Sequence, residues 1–431
     1  MLTKSTSHPF ALFGPPGTGK TTTVVEGIFQ VWKAFRGDVH NPLLIIVAAH
    51  SNTAIDLIVK SLLERVPTDE IVRLVSMAHF DNLHPSIRPI AMRKVEKLTA
   101  FKLRTIKIIC GTLDKLGQLR KLSRNVKSSH MFIDEAGQAT EADIVQIWPK
   151  YLKDSGQLIL AGDPHQLGPV VKSKAARCLG LHRSLLERLL SNVDFYQKNA
   201  NNNYNDKFVI QLVQNYRSSP QLLKVPNELF YDNSLVACAN AAEDILALCR
   251  SILPNPDFPM IFHQAYGEKT ILPEMNESPS LRNHDEVNIV MKYVNLLVRE
   301  LKIPKDDIGI ISPYRGQIDS IKKRLVKEGL CPPDRLGQKG TATNSIRLGT
   351  VETFQGDERK IIILSMVRSQ DFTNSLGFLD SRFHGHQRFN VAVTRAKSLL
   401  IVVGDKRLLK RDKNWRTLIQ YCKNNQSVLK R

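Results

Sequence analysis

Short apolar runs of strand length recur along the chain, and between them the apolar positions fall at helical spacing. The runs at 10–13, 44–48, 107–110, 131–134 and 157–161 predict one set of strands, and those at 208–212, 308–312, 345–349, 360–366 and 399–404 predict a second. Strands alternating with helical stretches are the pattern of an α/β fold with largely parallel sheets. Between the two sets, QKNANNNYND at 197–206 has no apolar periodicity and reads as a linker. The expected organisation is therefore a first domain over 1–195, a linker over 196–207 and a second domain over 208–431. The strongest apolar run, 43–49, is only strand length, and the first ten residues carry no apolar signal core. No membrane association is expected.

Composition narrows the class of partner. With 42% hydrophobic and 24% charged residues the chain is ordinary globular protein, but its 61 basic against 41 acidic residues leave a net charge of +20. Such a surface attracts a polyanion, nucleic acid first. The segment 88–127 holds twelve basic and two acidic residues, a candidate phosphate-tracking face whose bland alternative is a solvated helix. The six cysteines show neither CxxC pairs nor zinc spacing, which points to a reducing compartment, the cytoplasm or the nucleus.

Candidate chemistry begins at Gly14-Pro15-Pro16-Gly17-Thr18-Gly19-Lys20-Thr21, a GxxxxGK[ST] phosphate loop with a strand before it and a helical stretch from Thr22 after it. Its backbone N–H groups would cradle phosphate oxygens, Lys20 would reach the β- and γ-phosphates, and the Thr21 hydroxyl would hold Mg²⁺. The run at 131–133 then ends in Asp134-Glu135-Ala136-Gly137. In a parallel sheet these carboxylates face the same crevice as the loop, so Asp134 would complete the magnesium shell and Glu135 would activate water. Water as nucleophile predicts an ATP hydrolase rather than a kinase. Gln166, in GDPHQL after the next strand, should lie beside Glu135 and sense the γ-phosphate. Arg217 and Arg395, in the second half, are candidate cations for charge growing on that phosphate.

GPPGTGKT, SNTAID, DEAGQ, GDPHQLGP, NYRSSP, ETFQGDE and NVAVTRAK, in this order over nearly the whole chain, resemble the motifs of superfamily 1B helicases of the nonsense-mediated-decay type. DEAG together with FGPPGTGKT looks most like the RNA-silencing branch, the Armitage and Moloney-leukaemia-virus-10 homologue helicases. The resemblance implies two tandem RecA-like P-loop NTPase domains with an ATP cleft between them. Single-stranded RNA or DNA would lie across both and be moved 5′ to 3′ by a monomer, with RNA-silencing or RNA-decay proteins as partners. It further implies that Tyr216 stacks on adenine, that Glu358 touches the nucleotide, and that Arg217 and Arg395 are γ-phosphate fingers. Ser51, Asn52, Thr53, Thr112, Pro313, Tyr314 and Thr353 would contact the strand.

Three departures temper what the resemblance implies. Only thirteen residues precede Gly14, so the glutamine segment and small β-barrel that usually lie there are expected to be missing, as in a truncated product. His50 stands where proline is common, and Asp357 where a basic or small residue is common. Reduced nucleotide selectivity and a weaker grip on the strand follow. An ATP-gated RNA clamp without unwinding and a DNA helicase of the same superfamily are the competing expectations.

Overall fold

Strands buried on both faces need apolar side chains at nearly every position, and such runs build both sheets. The structure, a computed structural model, describes residues 8–35, 37, 43–94, 102–121, 127–239, 243–265, 270–271, 280–332, 344–369, 376–380 and 385–430. In the first half, β1 (Phe10–Phe13), β2 (Ile45–Ala49), β3 (Ile71–Leu74), β4 (Ala91–Met92), β5 (Ile108–Thr112), β6 (Ser128–Asp134), β7 (Leu152–Gly162) and β8 (Val209–Gln211) form one sheet, ordered β4-β3-β5-β2-β6-β7-β1-β8. Every pairing in it is parallel. Helices α1 (Lys20–Phe35) and α2 (Asn52–Leu62) turn Val24, Ile28, Ile55 and Ile58 onto Ile45, Val47 and Ile108.

The second sheet contains β9 (Met260–Gln264), β10 (Ile308–Ser312), β11 (Arg347–Thr350), β12 (Arg359–Ser365), β13 (Ala396–Gly404) and β14 (Val428–Leu429), ordered β11-β10-β12-β13-β9-β14 and again wholly parallel. Its two faces carry separate cores, one around Phe354, Phe389 and Trp415, the other around Val290, Ile321 and Ile363. No described helix is long and apolar enough to cross a membrane.

The chain divides into two units, one of Met1–Pro164 with Gly168–Leu212, the other of His165–Leu167 with Val213–Arg431. This corrects the expected place of 208–212. That run opens no second domain: β8 pairs in parallel with the outer edge of β1. The asparagine-rich segment is a surface loop of the first unit, closed by the Asn199 N–H on the Asn203 carbonyl at 2.9 Å. Phe208 anchors its far end against Phe195 and Tyr196, with ring centroids 4.8 and 5.7 Å away.

Among the acids buried in the second unit, Glu286 stands apart from the candidate chemistry. Glu286 is 1% exposed, and its carboxyl accepts from the Ser365 hydroxyl at 2.6 Å and the Val367 N–H at 2.9 Å. Burial pushes it up to about 8 against the opposing pull of these hydrogen bonds. Folded protein thus keeps a proton that the unfolded chain releases near its ordinary value of 4.5, so stability falls as pH rises from there toward 8. Glu286→Gln, which mimics the protonated form, is expected to flatten that slope in thermal melts taken from pH 5 to 8. An unchanged slope would mean that Glu286 titrates normally.

Candidate active site and nucleic-acid interface

The phosphate loop springs from the carboxyl end of β1. The Gly14 N–H donates to the Gly162 carbonyl at 2.9 Å, and Thr18 closes the loop on Pro15 O through its N–H at 3.3 Å and its hydroxyl at 2.8 Å. A Cβ at Gly14 would stand 2.7 Å from that of Lys20, so only glycine lets the lysine stem fold back over the loop. Pro15, Pro16, Gly17 and Gly19 complete the turn, and Lys20, Thr21 and Thr22 form the first turn of α1, with Thr22 exposed.

Asp134 and Glu135 end β6 two strands from the loop, with β7 between. Lys20 Nζ donates to Glu135 Oε1 at 2.6 Å and lies 3.3 Å from Asp134 Oδ1, while the Thr21 hydroxyl donates to Asp134 Oδ2 at 3.2 Å. Glu135 sits in the left-handed region (φ 52°), which swings its carboxylate off the strand line. Gln138 Nε2 steadies its other oxygen at 3.2 Å. The turn packs tightly on the next strand, since a Cβ at Gly162 would come within 2.9 Å of the Gly137 nitrogen.

Burial alone would lower the Lys20 pKa, but the Asp134 and Glu135 carboxylates more than reverse it and hold the ammonium well above its usual range. Burial pushes Asp134 up, against the pull of Lys20. The Thr21 hydroxyl and Asp134 carboxylate are hard oxygen donors set side by side, and they fit Mg²⁺, which takes one or two protein oxygens and fills the remaining positions with water and phosphate.

The second-unit candidates also gather. Arg217 Nε donates to Glu358 Oε2 at 2.6 Å and its Nη1 to the Thr394 carbonyl at 3.0 Å; Lys397 Nζ lies 2.5 Å from Glu358 Oε1. Burial would raise Glu358, yet Arg217 and Lys397 bring it down to about 2. Arg395 is 2% exposed, and its guanidinium donates to Val391 O at 3.0 Å and to Asp357 O and Gln166 Oε1 at 3.3 Å each. Gln166 accepts from Arg395 through its Oε1. It belongs to the second unit because Asn390 Nδ2 fastens the neighbouring His165 carbonyl at 2.9 Å. Tyr216 is 59% exposed and its hydroxyl donates to Gln214. Asp357 is taken up by Arg347 at 2.9 Å and Arg359 at 2.5 Å.

Strand-contact candidates collect at the carboxyl edges of neighbouring strands. Ser51, Asn52 and Thr53 follow β2 and Thr112 ends β5, paired with Ala49. Ser51 caps α2 through the Ala54 N–H, and Ser51 and Thr53 are exposed. In the second unit, half-buried Pro313 and buried Tyr314 follow β10, while exposed Thr353 follows the adjacent β11, its hydroxyl on Thr350 O at 3.1 Å. Tyr314 differs from the others in its burial. Its ring is 4% exposed, Arg368 lies 5.6 Å from the centroid, and Arg368 Nε donates to its hydroxyl.

Several of the described basic side chains in the segment 88–127 are engaged within the first unit. Arg88 donates to the Leu83 and Asp81 carbonyls, Lys127 to those of Pro149 and Leu152, and Arg93 covers the Phe80 ring at 4.7 Å. Lys97 and Arg124 lie outside the described residues, as do the side chains of Lys102, Arg120 and Lys121. Sequence reasoning missed Gln138 and Lys397. Gln138 lay in plain view as the last letter of DEAGQ, and Lys397 two residues past Arg395.

Comparison with known proteins agrees with these motifs. The AAA domain family matches residues 181–407, and a second AAA domain description matches 2–100 and 90–174. Among curated relatives, the Danio rerio protein mov-10-B.2 is 39% identical over 96% of this chain. The Drosophila melanogaster "Probable RNA helicase armi" is 31% identical over 97%, and the "Regulator of nonsense transcripts 1 homolog" of the same fly 32% identical over 98%. The chain spans 41%, 37% and 35% of their respective lengths. The chain belongs to the AAA-domain family and is similar, over nearly its whole length, to proteins named for mov-10, armi and the regulator of nonsense transcripts.

Proposed function

We propose that this chain hydrolyses ATP with Mg²⁺ and uses the cycle to move 5′ to 3′ along single-stranded RNA. The observation that carries the reading is the tight set of Lys20, Thr21, Asp134 and Glu135 at the mouth of a phosphate loop. ATP arriving there would draw Lys20 from Glu135 toward the phosphates, which frees the carboxylate to take a proton from water. Thr21 and Asp134 would hold a magnesium ion, which draws charge from the β- and γ-phosphate oxygens. Arg217 and Arg395 would neutralise what grows on the γ-phosphate, and Gln166, bonded to Arg395, would pass on its presence.

Ser51, Asn52, Thr53, Thr112, Pro313 and Thr353 would hold the strand by its backbone, and hydroxyl and amide groups do so without reading bases. RNA is the first strand to test because the relative armi is named an RNA helicase. A cytoplasmic monomer working with RNA-silencing or RNA-decay proteins is the setting this implies. ATP turnover measured with oligo(U), with oligo(dT) and without polymer tests the proposal: stimulation of at least tenfold by RNA is expected, and turnover indifferent to both strands would refute it. The buried Tyr314 ring favours one second reading, a clamp that hydrolyses ATP without separating strands, and displacement of a tailed duplex distinguishes the two.

Tyr216, with most of its side chain in solvent, is the proposed adenine platform. Losing a base–aromatic stack of about 1–3 kcal/mol makes Tyr216→Ala raise KM for ATP roughly tenfold while kcat stays within about twofold. An unchanged KM in steady-state kinetics would remove Tyr216 from the site.

A further inference from the structure

Beneath the first-unit strand edge lies an arginine that the nucleotide site does not use. Arg73, on β3, is 0% exposed. Its Nε donates to Asp56 Oδ1 at 2.8 Å, its Nη1 to the Leu74 carbonyl at 2.5 Å and its Nη2 to Asn52 Oδ1 at 2.9 Å. Asp56 is fixed on its other oxygen by His79 Nε2 at 2.7 Å. Both Asn52 and Asp56 stand on α2, four residues apart and so on one face, and the guanidinium fork bridges them. A guanidinium has donors only, so the Asn52 oxygen must be the atom turned toward it. The Nδ2 amide is then the half of the carboxamide left over, and it makes no described hydrogen bond.

We propose that Arg73 is a positioning residue that locks the Asn52 carboxamide so that its Nδ2 hydrogens, and not its oxygen, are offered to a strand phosphate. This rests on the reading of Asn52 as a strand contact and adds the chemistry of that contact. A locked amide donor accepts any nucleotide, because every phosphate presents an acceptor, whereas a carboxamide free to flip would also bind base amino groups. The arrangement therefore withdraws the oxygen that would read base amino groups and leaves a donor that suits every phosphate. It also explains why an arginine interrupts the apolar run of a buried strand: its planar fork holds Asp56, the Leu74 carbonyl and Asn52 in fixed directions, which an ammonium on a flexible stem does not impose.

The test is binding of the full chain to fluorescein-labelled oligo(U) and oligo(dT) by anisotropy, without ATP. Asn52→Ala removes the donor and is expected to weaken both about tenfold, the worth of one hydrogen bond to a charged group. Asn52→Asp keeps an oxygen for Arg73 but sets an anionic oxygen against the phosphate, so it should weaken binding by roughly a further tenfold. Arg73→Lys should approach the Asn52→Ala value and cost nothing more when the two are combined.

If Asn52→Asp binds better than Asn52→Ala, the oxygen faces the strand and the proposed orientation is wrong. Additive losses from Arg73→Lys and Asn52→Ala would leave Arg73 a purely structural residue. Loss confined to oligo(U) would move the contact from phosphate to the 2′-hydroxyl and overturn the proposal on that point. Normal binding by both Asn52 variants would instead refute the underlying contact. The Asn52 pair leaves Arg73 in place, so the orientation stays testable if Arg73→Lys fails to fold.

Discussion

Glu135→Gln is expected to cut ATP turnover by about 10²–10⁴-fold, the range for losing a general base, while ATP binding holds or tightens. The sign of the binding change follows from Lys20. In the structure that ammonium is divided between Glu135 at 2.6 Å and Asp134 at 3.3 Å. A neutral amide releases it from the stronger of these attractions, yet Asp134 still holds it near the loop, so more of its charge is available to the phosphates. The geometry around Glu135 is otherwise kept, because Gln138 and the left-handed backbone set its direction independently of its charge. Binding of a fluorescent ATP analogue and single-turnover hydrolysis separate the two quantities. If Glu135 were only the resting partner of Lys20, turnover would fall less than tenfold and affinity would move instead.

Legibility in the sequence followed chemistry more closely than chain tracing. The phosphate loop and the acids at the end of β6 were readable because glycine, lysine and paired carboxylates have few structural uses in that spacing, and the structure sets them within hydrogen-bonding reach. Several strands were not. The apolar-run signal overlooks β3, whose Arg73 looks like a surface residue until its partners Asp56 and Asn52 are known. It likewise overlooks β9, where Gln264 is buried on Asp405 and His263 lies 2.9 Å from the Tyr293 hydroxyl. Polar residues inside a sheet are paired by tertiary contacts that no local pattern contains. The same cause hid the burial of Tyr314. An aromatic after a strand reads as available, whereas the side chain of Arg368, more than fifty residues later, packs on it. The placement of 208–212 failed for a different reason: an apolar run does not say which sheet it will join, and this one pairs with β1.

Arg395→Ala is expected to lower kcat about 10³-fold with little change in ADP affinity, the signature of a cation that acts on transition-state charge. Arg395→Lys should recover almost none of this. Val391 O takes the Nε hydrogen, while Asp357 O and Gln166 Oε1 take one hydrogen each from the two terminal nitrogens, and together they fix the plane of the fork. An ammonium on a flexible stem cannot satisfy that set and still present a directed N–H. The obvious objection is that so buried a residue serves the fold, since its bonds tie the end of the helix Gly385–Val393 to the turn before β12. Stability and chemistry can be told apart by ligand rather than by rate. ADP with aluminium fluoride mimics the planar γ-phosphoryl group, so a finger contributes to binding of that pair and not to binding of ADP alone. Wild type should hold ADP–aluminium fluoride far more tightly than ADP, and Arg395→Ala should lose most of that difference even where its melting point stays high. Arg217→Ala makes the matched comparison, because it also strips Glu358 of its 2.6 Å partner and leaves that carboxylate to Lys397. A variant at Arg395 that binds the fluoride complex as tightly as wild type would confine the arginine to packing, and Arg217 would then carry the charge alone.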